Sequence, residues 1–88
     1  MKKKANLYDI QIKLHKIILS ITNNETTSFN ASNRLIEDYD MDSLDMVELP
    51  IKLNEQLGVV LDETEWRKIE TLDDLAKQCY QKTQNEIF

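Results

Sequence analysis

One glycine and one proline in 88 residues leave this chain almost without the turn formers that an all-β fold needs about every eight to twelve positions. Helices are therefore expected, and the apolar residues fall where helices need them. Leu7, Ile10, Leu14, Ile17, Ile18 and Ile21 recur at spacings of three and four, on one stripe of an amphipathic helix from about Asn6 to Ile21. From Thr22 to about Met41 the sequence turns to Asn, Thr and Ser, with Phe29, Leu35, Ile36, Tyr39 and Met41 as scattered apolar anchors. A connection of that length is uncommon in a compact domain and is usually functional, which draws attention to the segment it leads into.

That segment reads as a second helix. Asp42 suits its N-cap, Met46, Leu49, Leu53 and Leu57 share one face, and Gly58 stands where a glycine ends a helix. A short third helix is expected from Asp62 to Lys68, with Trp66 as a partly buried packing anchor. A fourth opens at Thr71, pairs with Asp74 in a capping box, and turns Leu72, Leu75, Ala76, Cys79 and Tyr80 inward. The expected fold is all-α: a small four-helix bundle, three longer helices plus one short helix, with a long loop between the first two. Residues 1–88 read as a single domain whose ends, 1–5 and 84–88, fray.

Charge and composition exclude several classes. A net charge of -5 repels nucleic acid and anionic membrane, so electrostatic partners should be proteins with basic patches. After Lys2, Lys3 and Lys4, the residues Asp9, Gln11, Lys13, His15 and Lys16 interrupt every apolar run, so neither a signal-peptide core nor a membrane span fits. The single cysteine, Cys79, forms no internal disulfide and with one histidine builds no Cys/His zinc site. A cytoplasmic monomer is expected, with Cys79 a core thiol and His15 facing solvent. The sequons Asn24-Glu25-Thr26 and Asn30-Ala31-Ser32 read as polar loop.

The acidic stretch before the second helix suggests a calcium loop, because Asp38, Asp40 and Asp42 match the first, third and fifth ligand positions of an EF-hand. The sixth position is then Ser43 instead of glycine, the eighth is the charged Asp45, and the twelfth is Leu49 instead of glutamate. Acids stabilised by a helix dipole explain these carboxylates better, and no metal is expected.

The octet Asp42-Ser43-Leu44-Asp45-Met46-Val47-Glu48-Leu49 resembles the acyl carrier protein signature, in which Asp-Ser-Leu opens the second helix. The similarity continues through Leu57-Gly58-Val59-Val60-Leu61, Glu65 to Ile69, and Thr71-Leu72-Asp73-Asp74-Leu75. The resemblance implies a carrier and not an enzyme. Ser43, flanked by Asp42 and Leu44, would hold 4′-phosphopantetheine, transferred from coenzyme A by a phosphopantetheinyl transferase. Asp42, Leu44, Asp45, Glu48 and Glu55 would dock acyl-loading, elongating or acyl-transferring enzymes. Val47, Ile51, Leu53, Leu61 and Ile69 would form the acyl-chain cleft. Fatty-acid synthesis and a specialised polyketide or secondary-metabolite pathway both stay open, as do an aminoacyl or peptidyl carrier and an unmodified helical adaptor. Core packing is the alternative for the cleft residues, a solvated face for the acids, and a capping hydroxyl for Ser43.

Physical chemistry supports the carrier role apart from the resemblance. A serine in the first turn of a helix is exposed, and unpaired N–H groups with the positive dipole end favour a phosphodiester there. A hydrolase does not fit, since His15 lies on the first helix and a serine nucleophile needs a base within hydrogen-bond reach. Three features depart from the family pattern. Asp40 stands where many carriers have glycine, and an Asp adopts the left-handed conformation less freely. Pro50 removes the amide that would meet the Met46 carbonyl, a cost of about 3 kcal/mol in an ordinary helix, so a kink is expected near Met46 to Pro50. Lys52 and Asn54 dilute the acidic face on which the usual fatty-acid synthesis enzymes would dock, which keeps a dedicated carrier for a specialised pathway open.

Overall fold

The computed structural model describes residues 6–24 and 26–85. Four helices follow in order: α1 Leu7–Thr22, α2 Ser43–Leu57, α3 Glu63–Trp66 and α4 Leu72–Asn85. Among the described residues there is no strand, only an isolated bridge between Arg34 and Thr71. The fold is thus the expected small all-α bundle. Of the ends expected to fray, 1–5 and 86–88 lie outside the described residues, while α4 runs on through Asn85.

Each helix starts and stops for a local reason. The Asn6 side chain accepts from the Asp9 amide at 2.8 Å and caps α1, and Asn23 ends it in the left-handed conformation at φ 56. Gly58 ends α2 at φ 65, where the Gly58 and Val59 amides fold back onto the Asn54 and Leu53 carbonyls at 3.0 and 3.3 Å. A Cβ on Gly58 would meet nothing within 4 Å, so its backbone angle and not crowding calls for glycine. α2 continues unbroken through Pro50.

The core forms where α1 packs against α4 and α2. Ile10, Leu14, Ile17 and Ile18 from α1 meet Leu49 and Leu53 from α2 and Leu72, Leu75, Ala76 and Cys79 from α4. Each buried Leu or Ile contributes about 1.5–3 kcal/mol by leaving water. Tyr80 is only half-buried against this core.

The long loop is tied down at several points. Leu35, Tyr39 and Met41 are buried, whereas Ile36, expected as an anchor, is exposed because the 34–39 turn brings residues 35 and 39 to its inner side. The loop backbone also caps α4: the Leu72 and Asp73 amides donate to the Asn33 and Ala31 carbonyls at 2.7 and 2.9 Å. Thr71 Oγ1 accepts from the Asp74 amide at 3.1 Å, and the Leu75 amide reaches the Thr71 carbonyl, so all four first-turn amides have acceptors. Because the loop folds back across α1, His15 is half-buried and not solvent-facing. Its Nδ1 lies 2.7 Å from the Tyr39 hydroxyl, and its ring meets Phe29 edge-on. Burial lowers the His15 pKa below its ordinary value.

Candidate functional site

The first residue of α2 is held from both sides. Buried Met41 anchors the end of the loop, and Asp40 turns the chain at φ 59 in the left-handed region. Upstream, the Asp38 carboxylate accepts from the Arg34 amide at 2.7 Å and from Arg34 Nε at 3.2 Å. These bonds, the backbone one foremost, hold the Asp38 pKa below the usual carboxylate value. Downstream, the Asp42 carboxylate accepts from the Asp45 amide at 2.9 Å, and Asp45 Oδ2 accepts from the Asp42 amide at 3.1 Å. The sequence identified Asp42 as the cap but not Asp45 as the residue that closes the box. Asp38 and Asp42 thus serve as turn and cap acceptors, and no group of three or more His, Cys, Asp or Glu among the described residues can hold a metal.

Ser43 stands exposed at this N-terminus, and among the described residues its hydroxyl makes no hydrogen bond. The capping box satisfies the Asp45 amide and, among the described residues, leaves those of Ser43 and Leu44 without acceptors. Two free amides at the positive end of a helix dipole suit a phosphodiester on Ser43 Oγ. Nothing here activates that oxygen as a nucleophile, since the only imidazole is engaged with Tyr39.

The outer face of α2 carries a second feature. Leu44, Val47 and Ile51 are 77%, 65% and 53% exposed and, at spacings of three and four, form one apolar stripe. Asp42 and Glu48 are exposed beside it and Asp45 is half-buried. Further along, Lys52 Nζ lies 3.7 Å from Glu55 Oε1, so the charge of Glu55 is offset and the unpaired acids cluster at the Ser43 end. Such an exposed pair adds at most about 1 kcal/mol to stability, so its weight lies in the field that a partner meets.

Two grooves border α2. The smaller, about 360 Å³, is lined by Pro50, Ile51, Leu53, Asn54, Glu55, Val59, Val60, Leu61 and Trp66. It gathers three of the five residues that the resemblance assigns to a cleft, Ile51, Leu53 and Leu61. Val47 lies outside it, exposed toward Ser43, and Ile69 packs half-buried against the core. Sequence reasoning missed Pro50, Val59, Val60 and Trp66 as lining residues. The alternation of buried Val59, exposed Val60 and buried Leu61 was the available signal, a period of two after the helix ends. The larger groove, about 460 Å³, lies between α1 and Gln56 and includes Asp9, Lys13, Lys16 and Ser20. Gln56 is about 20 Å along α2 from Ser43 at about 1.5 Å per residue, so this groove is remote from the serine.

The phosphopantetheine attachment site family model matches residues 13–79, a span that contains α2, α3 and the loop before them. The acyl carrier proteins of Rickettsia massiliae (strain Mtu5) and Rickettsia typhi (strain ATCC VR-144 / Wilmington) are each 31% identical to this chain over 68 residues, covering 77% of it and 79% of the relative.

Proposed function

This chain belongs to the acyl carrier protein family, a carrier of covalently attached 4′-phosphopantetheine and not an enzyme, and from that premise we propose that Ser43 is the attachment residue and that acyl groups are its cargo. The observation that carries the assignment is an exposed, unbonded Ser43 hydroxyl beside two free amides at a capped helix start. Phosphopantetheine supplies a terminal thiol that holds an acyl group as a thioester. The residues around it position and present. Asp42 and Asp45 fix the turn through their reciprocal cap, and the Ser43 and Leu44 amides would hold the phosphodiester.

Asp42, Asp45 and Glu48 attract partner Lys and Arg residues, while Leu44, Val47 and Ile51 offer the apolar contact that a docked enzyme desolvates. The Lys52–Glu55 pair interrupts the acidic face and supports a dedicated carrier in a specialised pathway over a general fatty-acid carrier. An unmodified adaptor would keep Ser43 out of reach, which its exposure opposes.

Intact mass after incubation with coenzyme A and a broad-specificity phosphopantetheinyl transferase tests the assignment. Wild type should gain one phosphopantetheine and Ser43→Ala none. A gain in both would move the attachment elsewhere, and no gain in a folded wild type would remove the reading.

A further inference from the structure

The cations of this chain are unevenly matched. Among the described residues, Arg34, Lys52, Arg67, Lys77 and Lys82 each lie within 4.0 Å of a carboxylate, whereas Lys13, Lys16 and Lys68 pair with none. Lys13 and Lys16 are exposed, and both line the larger groove, the one between α1 and Gln56. Asp9 lines it too, one turn before Lys13, but forms no ion pair with it. Two ammonium groups against one carboxylate give this groove a positive character on a chain of net charge -5. Its sign is opposite to that of the acids at the Ser43 end of α2.

The groove also has an apolar floor. Steps of four, three and four set Asp9, Lys13, Lys16 and Ser20 in one row along α1, with Ile12 one turn before Lys16. Ile12 is half-buried, yet it is neither part of the core nor packed against it, so its side chain offers apolar surface to the groove. Ser20 Oγ donates to the Ile17 carbonyl at 2.8 Å and keeps its own lone pairs as acceptors, while the exposed Gln56 brings an amide donor from α2. The row runs about 16 Å from Asp9 to Ser20 at about 1.5 Å per residue, three turns of a docked helix. An apolar strip edged by two unpaired ammonium groups complements an amphipathic segment that carries carboxylates.

The acidic end of α2 in a second copy has that chemistry, with Leu44 and Val47 among Asp42, Asp45 and Glu48. It would join two different faces, however, a head-to-tail contact that leaves a free face at each end of a pair. An anionic membrane has the charge, but the net charge of the chain repels it and a recess fits a flat surface poorly. A segment of another protein meets neither objection.

We propose that the groove along α1 docks an acidic amphipathic segment of a partner protein, which sets an apolar side chain on Ile12 and carboxylates on Lys13 and Lys16. A partner held there leaves Ser43 and the acidic end of α2 open to enzymes with basic patches, so the chain has two docking surfaces of opposite sign. The probe is a synthetic helical peptide with leucines at spacings of three and four and glutamates beside them, titrated into the isotope-labelled full chain and followed by amide NMR. Resonances of α1 from Asp9 to Ser20 and that of Gln56 should shift, while those of Ser43 to Val47 stay in place. Lys13→Glu combined with Lys16→Glu, both at exposed positions where folding is kept, should weaken binding about tenfold or more. Lys68→Glu, the same change at an unpaired cation outside the groove, should alter it by less than about twofold. The doubly reversed chain should instead bind the peptide in which lysines replace the glutamates. Absence of saturable binding, shifts centred on α2, or an equal loss with Lys68→Glu overturns the inference. Self-association of the wild type that the double reversal removes also overturns it and makes the groove a contact between copies. Recruitment to vesicles of phosphatidylcholine and phosphatidylserine that the double reversal removes overturns it in favour of a membrane surface. Attachment at Ser43 is read separately by intact mass and is untouched by any of these outcomes.

Discussion

Cys79 has no exposed surface, and burial pushes its thiol up to about 12, so the reactive thiolate is scarce at neutral pH. For a thioester carrier this matters, because an accessible protein thiol would draw the acyl group from the arm by exchange. Ellman's reagent should therefore find no reactive thiol in the folded, unmodified protein and one after unfolding in urea. Rapid reaction of the folded protein would show that the packing of α4 opens readily. The inward position of Cys79 was legible from its phase with Leu72, Leu75 and Ala76, a purely local signal. His15 was not legible, because the Tyr39 hydroxyl that holds it comes from a loop 24 residues away, and nothing near His15 in the sequence encodes that meeting. Asp40 falls between these cases. Its place before the Asp-Ser pair pointed to a left-handed turn, and it adopts φ 59, but the Arg34–Asp38 contacts that hold the turn, although only four residues apart, carry no motif.

At the scale of elements, α1, α2 and α4 could be read closely because caps and apolar spacing act within a turn or two. α3 is shorter than the span from Asp62 to Lys68. Its last residues tighten into bonds from the Lys68 amide to Glu65 and the Ile69 amide to Trp66, each three residues back, which end the α-helical pattern at Trp66. The backbone clamp of residues 31–33 on α4 was invisible, since main-chain hydrogen bonds between distant segments have no residue signature. Pro50 leaves the Met46 carbonyl without its helical donor, yet α2 passes through it, so the surrounding packing absorbs the cost. Pro50→Ala restores that donor and should raise stability in urea by about 1–2 kcal/mol, the helical gain less the looser unfolded chain. A lower midpoint would mean that the proline ring supports the groove wall more than it strains the helix.

At the scale of the whole molecule, opposing electrostatic terms set the response to acid. Asp38, Glu65 and Asp74 all have pKa values below their ordinary ones, each chiefly through a backbone amide that the carboxylate accepts. Their stabilisation is complete above the unfolded value of about 4 and is lost as pH falls through the lowered folded values. These three acids secure the 34–39 turn, the α3 cap with its Lys82 tether, and the start of α4, so strong acid should loosen that side of the bundle. His15 acts at milder pH. Desolvation lowers its pKa, so the unfolded chain binds the proton first, and its stabilisation is complete above about 6.5 and declines below it. Relief of repulsion within a chain of net charge -5 works the other way over the same range, since protonating carboxylates brings the charge nearer zero. The two contributions separate by comparing wild type with His15→Gln, which keeps a polar partner for Tyr39 but does not titrate. From pH 7 to pH 5 the urea midpoint of wild type should fall relative to that of the variant, because only the wild type must bury a histidine against its tendency to protonate. Parallel midpoints across that range would show that His15 has the same proton affinity folded and unfolded. The Tyr39 contact would then be structural without being coupled to pH.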